Sequence, residues 1–202
     1  MANATVVAKG ILTQYQGVNY LLMREFQIVT NKQSTAGTKK ADASPVTSLV
    51  EEGVAARYEK KDIAAAEKAW EKAIPLLDQT GVTAMDRYQV YAGLGLIYGE
   101  RGDYTKSRDY FKKAVAASEK IADNRKPLSY SYYNLACAEA LLGESEAALA
   151  SLRLALEAER QTERRVYTKR AVGDDSFAKL KDDQRFAALL KEFAGSAAEP
   201  KR

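Results

Sequence analysis

Between residues 61 and 156 the chain repeats one pattern of apolar and polar positions three times. The segments 61–74, 102–115 and 143–156 align at a step of 41 residues. The step links Asp62, Asp103 and Glu144, then Ala66, Ser107 and Ala148. It also links Trp70, Phe111 and Leu152, and then Ala73, Ala114 and Ala155. Upstream, the same step aligns Val50, Tyr91 and Tyr132. A register held at several positions in three copies marks a repeat architecture. Within each copy the apolar spacing is helical and falls in two blocks. The pattern predicts helices over 47–59 and 63–77, over 91–100 and 104–120, and over 128–142 and 145–159. Gly102 and Gly143 sit where each first helix must stop, because glycine accepts the left-handed conformation that ends a helix. Thr47 or Ser48, with Glu51 or Glu52 after it, is the expected start of the first helix, and Pro127 is the expected start of the fifth.

Small residues recur where two antiparallel helices must approach closely: Gly95 and Ala136 in the first helices, the alanines and Ser107 in the second. Trp70, Phe111 and Leu152 are the large side chains expected to fill the space between units. The stretch Tyr91-x-x-Leu94-Gly95-x-x-Tyr98, followed by Gly102-Asp103-Tyr104, Ser107, Phe111 and Ala114, resembles the tetratricopeptide repeat. Residues 133–156 are similar to the same family, with Leu135, Ala136, Gly143, Ala148, Leu152 and Ala155 at its signature positions. The first unit departs from the pattern. Lys61 replaces the turn glycine, and Gly53 lies one place out of register. The step also exceeds the family's usual ~34 residues, which implies longer helices or longer links near 78–83 and 122–126.

The resemblance covers about residues 47–160. It implies an all-α fold, a short superhelix of three helix pairs. Residues 161–193 are expected to add capping helices, since Phe186, Leu189, Leu190 and Phe193 share one helical face behind Asp182 and Asp183. An acidic turn and a terminal helix of this kind resemble the ending common in bacterial proteins of the family. Residues 194–202 read as a tail. Before the repeats, Thr5–Tyr15 and Val18–Val29 are rich in β-branched and aromatic residues, with Gln16-Gly17 between them, which predicts a β-hairpin over 1–30. Residues 31–46 are polar and small, and read as a linker.

Composition narrows the chemistry. The 202 residues contain no histidine and one cysteine, Cys137. A Ser-His or Cys-His nucleophile, a Cys/His zinc site and an intramolecular disulfide are therefore all excluded. No phosphate-binding glycine loop or nucleophile elbow is present. The expectation is a non-enzyme with no cofactor and no metal. Asp174-Asp175 and Asp182-Asp183 read as helix-start residues, and Cys137 as a small packing residue. The net charge of +4 is divided into basic ends and a weakly acidic middle, which disfavours nucleic acid as partner. Tyr20–Met23 is too short an apolar run to span a bilayer, and no signal peptide is visible. These features point to the cytoplasm, or to an exported chain whose leader has been removed.

In the resembled family the first helices line a concave groove that binds a peptide or protein segment. By that resemblance Asn134, Tyr130, Tyr133, Cys137, Gln89 and Arg165 are the groove candidates. Asn134 stands first among them, because an amide both donates and accepts as a peptide backbone requires. The family's carboxylate clamp is not matched. Arg164, Arg165, Lys169 and Arg170 form a basic cluster beyond the third unit, suited to a solvated face or to an acidic partner. The expected function is a protein-interaction scaffold. In the alternative, the hairpin is the recognition element, by strand addition or nucleic-acid contact, and the repeats support it.

Overall fold

A computed structural model describes residues 5–15, 18–29, 44–160 and 166–195. It divides the chain into two compact units, Met1–Ala43 and Ser44–Arg202. In the first unit, β1 (Thr5–Tyr15) pairs antiparallel with β2 (Val18–Val29). The register runs from Tyr15 opposite Val18 to Thr5 opposite Val29. It slips between Lys9 and Gly10, which face Glu25 and Met23, so Arg24 is the extra residue of a bulge. Glycine inside a strand often marks such a bulge. Most of the expected linker, residues 31–43, lies outside the described residues.

The second unit is helical. Its pairs are α1 (Pro45–Val54) with α2 (Ile63–Ala73), α3 (Ala84–Glu100) with α4 (Tyr104–Ser118), and α5 (Arg125–Leu142) with α6 (Ser145–Arg160). Two further helices follow, α7 (Val166–Gly173) and α8 (Gln184–Gly195), joined by a 3₁₀ segment over Asp175–Leu180. The helix starts follow capping chemistry, though not always at the expected residue. For α1 the cap is Ser44, whose hydroxyl accepts from the Thr47 amide at 3.2 Å, and Pro45 takes the first turn. This cap lies upstream of the expected Thr47 or Ser48. Thr83 and Asp86 form a reciprocal capping box for α3. The fifth helix begins at Arg125, so Pro127 falls in its first turn, where a missing amide hydrogen costs nothing. The long α3 and α5, of 17 and 18 residues, absorb much of the extra repeat length.

The joint between the two helices of each pair recurs at Lys61, Gly102 and Gly143, with φ of 56°, 80° and 81°. Asp62 and Asp103 then cap α2 and α4 through the amides of Ala65 and Lys106. The amides of Asp103 and Glu144 reach back to the carbonyls of Tyr98 and Glu139, both at 2.9 Å. Asp62 instead reaches Ala56, one residue further back, at 2.8 Å. The extra residue is held in one π-helical turn over Ala55–Glu59. That turn explains why Gly53 lies one place out of register.

It also corrects the alignment of the first helix. Upstream of the π turn, Val50 corresponds to Ala92 and Tyr133, not to Tyr91 and Tyr132. Val50, Ala92 and Tyr133 are all buried, whereas Tyr91 and Tyr132 are half-buried.

The core is built by setting large side chains against small ones. Trp70, Phe111 and Leu152 are 1%, 2% and 0% exposed, and the alanines at 66, 73, 114, 148 and 155 are buried around them. A Cβ on Gly53 would come within 2.2 Å of the Trp70 indole nitrogen, and one on Gly93 within 2.3 Å of the far edge of the ring. The indole is thus wedged between α1 of its own pair and α3 of the next. Gly95 stands against Phe111 in the same way, at 3.0 Å. Ser107 donates its hydroxyl to the Gly95 carbonyl at 2.8 Å and closes that contact. The outer positions of α1 are polar. Glu51 and Glu52 are exposed where their counterparts Gly93 and Leu94 are buried. A repeat stack needs such a polar face on its terminal unit.

Two stability outcomes follow from this packing. Trp70→Ala and Phe111→Ala are each expected to cost about 3–5 kcal/mol in urea unfolding, the range for large buried aromatics. Lys61→Gly is expected to stabilise by about 1 kcal/mol, because it removes a side chain from a left-handed position. A thermal melt of Lys61→Gly that is unchanged or lower contradicts the joint assignment.

Candidate interaction surface

The first helices carry the surface on which a partner was expected. Gln89 on α3 and Tyr130 on α5 are one repeat step apart, and both are half-exposed. They occupy equivalent places on neighbouring helices, so they continue one line along the stack. Tyr130 also packs against both main core clusters. One turn beyond it, the half-buried Asn134 donates its side-chain amide to the Tyr130 carbonyl at 2.8 Å. This back-bond to the preceding turn fixes the Asn134 rotamer and occupies a donor that the sequence reading assigned to a ligand. Further aromatic residues gather along this surface. Burial pushes the Tyr88 phenol far above its ordinary range, with Tyr167 and Tyr58 as its electrostatic neighbours. Arg57 makes a two-pronged ion pair with Glu100, and Tyr58 and Tyr130 lie within its electrostatic reach.

Tyr133 and Cys137 have a different setting. Tyr133 is fully buried, and its ring stacks on Tyr167 of α7 at 4.6 Å and meets Phe177 edge-on at 5.8 Å. Its hydroxyl donates to Asp174 Oδ2 at 2.8 Å. Burial, aided by the nearby Cys137 and Asp174, raises the phenol far above its ordinary range. Cys137 is half-buried, with its sulfur 4.0 Å from the same carboxylate oxygen. Burial first, and then Asp174, push this thiol well above the ordinary thiol range, so it stays protonated and unreactive.

Asp174 is the hub of this cluster. Burial alone would raise its pKa. The Ser176 amide, the Tyr133 hydroxyl and the Arg170 guanidinium, 3.4 Å away, outweigh burial and hold it below the ordinary value. The Arg170 guanidinium also lies over the Tyr133 ring at 5.1 Å. The expected helix-start role of Asp174 is met by its bond to Ser176, but its other contacts fasten the C-terminal segment onto α5. Buried Glu159 anchors that segment a second time by accepting from the amides of Tyr167 and Thr168 at 2.8 and 3.3 Å. No sequence signal marked Tyr88, Tyr167 or the Tyr133–Asp174 bond, because their partners come from outside the repeat register. Arg165, like Arg164, lies outside the described residues. Of the basic cluster, Arg170 is engaged with Asp174, and Lys169 is exposed.

Consecutive helix pairs closed by small-against-large contacts define a helical-repeat scaffold. Residues 86–161 match the tetratricopeptide repeat family, so this part of the chain is built of tetratricopeptide repeats. Its fold is similar to that of the C-terminal TPR-containing domain of a Plasmodium falciparum protein described as FK506-binding. The two chains are 18% identical with a TM-score of 0.51, over 74% of this chain and 91% of that one. No curated protein matches the chain. Among the described residues no helix is long and apolar enough to cross a membrane.

The cluster around Asp174 generates a pH-dependent outcome. Tyr133→Phe is expected to cost about 1–2 kcal/mol at neutral pH, as for loss of a buried hydrogen bond to a charged acceptor. With its pKa held low in the fold, Asp174 adds stability above the ordinary aspartate value of ~3.9, and that stability is lost as acid protonates it. Urea unfolding at falling pH should therefore show the wild-type advantage over Tyr133→Phe shrinking below that value. An advantage that is constant down to strong acid contradicts the role given to the bond.

Proposed function

We propose that this protein is a non-catalytic adaptor whose first helices bind an extended segment of a partner protein, with Tyr130, Gln89 and Asn134 as the central contacts. The observation that carries the reading is the register between Gln89 and Tyr130. Both are half-exposed, they recur at the repeat step on adjacent helices, and an extended peptide lying across the helices would meet them in turn. A tyrosine offers a flat apolar face and a polar tip at small entropic cost, and tyrosine is enriched among binding hot spots. The Asn134 side-chain oxygen accepts no bond from the described residues and suits a peptide amide. Tyr133 and Cys137 support this surface from beneath, through the cluster around Asp174.

The expectation is that a partner captured by the purified chain and identified by mass spectrometry is lost to Gln89→Ala/Tyr130→Ala, whose helicity is unchanged. The residues given up are half-exposed, so roughly a tenfold or greater loss of affinity fits hot-spot removal. If that variant keeps the partner, and a chain beginning at Ser44 loses it, the hairpin is the recognition element instead.

A further inference from the structure

We propose that the cleft between α7 and α8 is a second docking site, distinct from the surface above, for an acidic amphipathic segment of a partner protein. The cleft has a volume of about 320 Å³ and is lined by Thr168, Lys169, Val172, Leu190, Lys191 and Ala194. That volume lies at the small end of binding pockets, fit for one or two large side chains rather than a cofactor. Its apolar wall is left open. The helix α8 buries Phe186, Leu189 and Phe193 in the core, but Leu190 only packs at the core's edge. Val172, at 63%, is the most exposed of the large apolar side chains described.

The charges at the rim decide what fits. Arg153 is matched to Glu192, Arg170 to Asp174, Lys181 to Asp175, and Arg185 to Asp183 and Glu146, while Lys179 and Arg160, which make no such pair among the described residues, do not line the cleft. Lys169 and Lys191 are exposed, and neither has a carboxylate among the described residues within ion-pair distance. They stand on opposite helices of the cleft, in the part of the chain from residue 160 onward, which carries 11 Lys/Arg against 7 Asp/Glu. An apolar floor between two uncompensated ammonium groups fits a helix with apolar residues on one face and glutamates beside them, which places two neighbouring side chains, at i and i+3, into a groove. A basic or wholly polar segment would leave the lysines unmatched or the floor wet.

The test is a titration of the isotopically labelled full chain with a short synthetic peptide carrying leucine at i and i+3 and glutamate on the flanks, followed by NMR. Backbone shifts are expected at Thr168, Val172 and Ala194, with affinity falling as salt is added. Lys169→Glu/Lys191→Glu should weaken binding roughly tenfold, as two partly screened ion pairs would. The same variant should prefer a peptide with lysine in place of glutamate. Val172→Asp, at an exposed site, should abolish binding without unfolding the chain. No binding, equal affinity for the charge-reversed variant, or shifts confined to α3 and α5 would each overturn the proposal. Cleft resonances that shift with protein concentration alone would place a second copy of the chain there and overturn it too. None of these outcomes depends on the Tyr130 surface, so the two readings fail separately.

Discussion

The helical unit depends on one contact, the Trp70 indole held between Gly53 and Gly93. A helical repeat cannot bury its apolar face alone, so its stability lies in the interface with its neighbour. At the first such interface the chain places its largest side chain against two positions with none. The ring excludes water from both α1 and α3, and each glycine sets how near its backbone comes to the ring. Phe111 against Gly95 repeats the arrangement with a smaller ring, and Leu152 among Ala136, Ala148 and Ala155 repeats it again with an aliphatic one. Plug size thus falls along the stack while the small residue opposite grows from glycine to alanine.

The joints keep these contacts in phase. Lys61, Gly102 and Gly143 reverse the chain at the same point of each pair. Where the first pair carries one residue too many, a π turn absorbs it before the joint, so Trp70 still faces Gly53. At the far end the stack is closed by chemistry of another kind. Instead of a fourth repeat, α7 and the 3₁₀ segment cover Tyr133 with Tyr167 and Phe177, and Asp174 ties them down. The polar α1 and this polar-anchored C-terminus close the two ends of the stack.

Much of this was legible in the sequence because repetition multiplies weak signals. The plugs stood at three aligned positions and the joint glycines at two, and the apolar face of α8 followed from its own spacing. The failures have separate causes. Simple counting aligns Tyr132 with Val50, which is buried. The π turn shifts that alignment by one place, and one place turns a helix by about 100°, which puts Tyr133 inside and Tyr132 at the edge. For Asn134, a local bond to the carbonyl four residues earlier is open to an amide in any helix, and the sequence pattern does not mark it. The Tyr133–Asp174 bond joins a repeat to the segment that ends it, and no periodic signal reports such a pair.

The central claim is that Gly53 and Gly93 are glycine because of the Trp70 ring. Gly93→Ala tests it when its unfolding free energy is measured in two backgrounds, wild type and Trp70→Leu. With Trp70 present, the added methyl should destabilise by about 1–3 kcal/mol, as overpacking does. With leucine at 70, the methyl has room, and the substitution should be neutral or stabilising by up to about 1 kcal/mol, because alanine favours a helix over glycine. The same change in stability in both backgrounds would contradict the account.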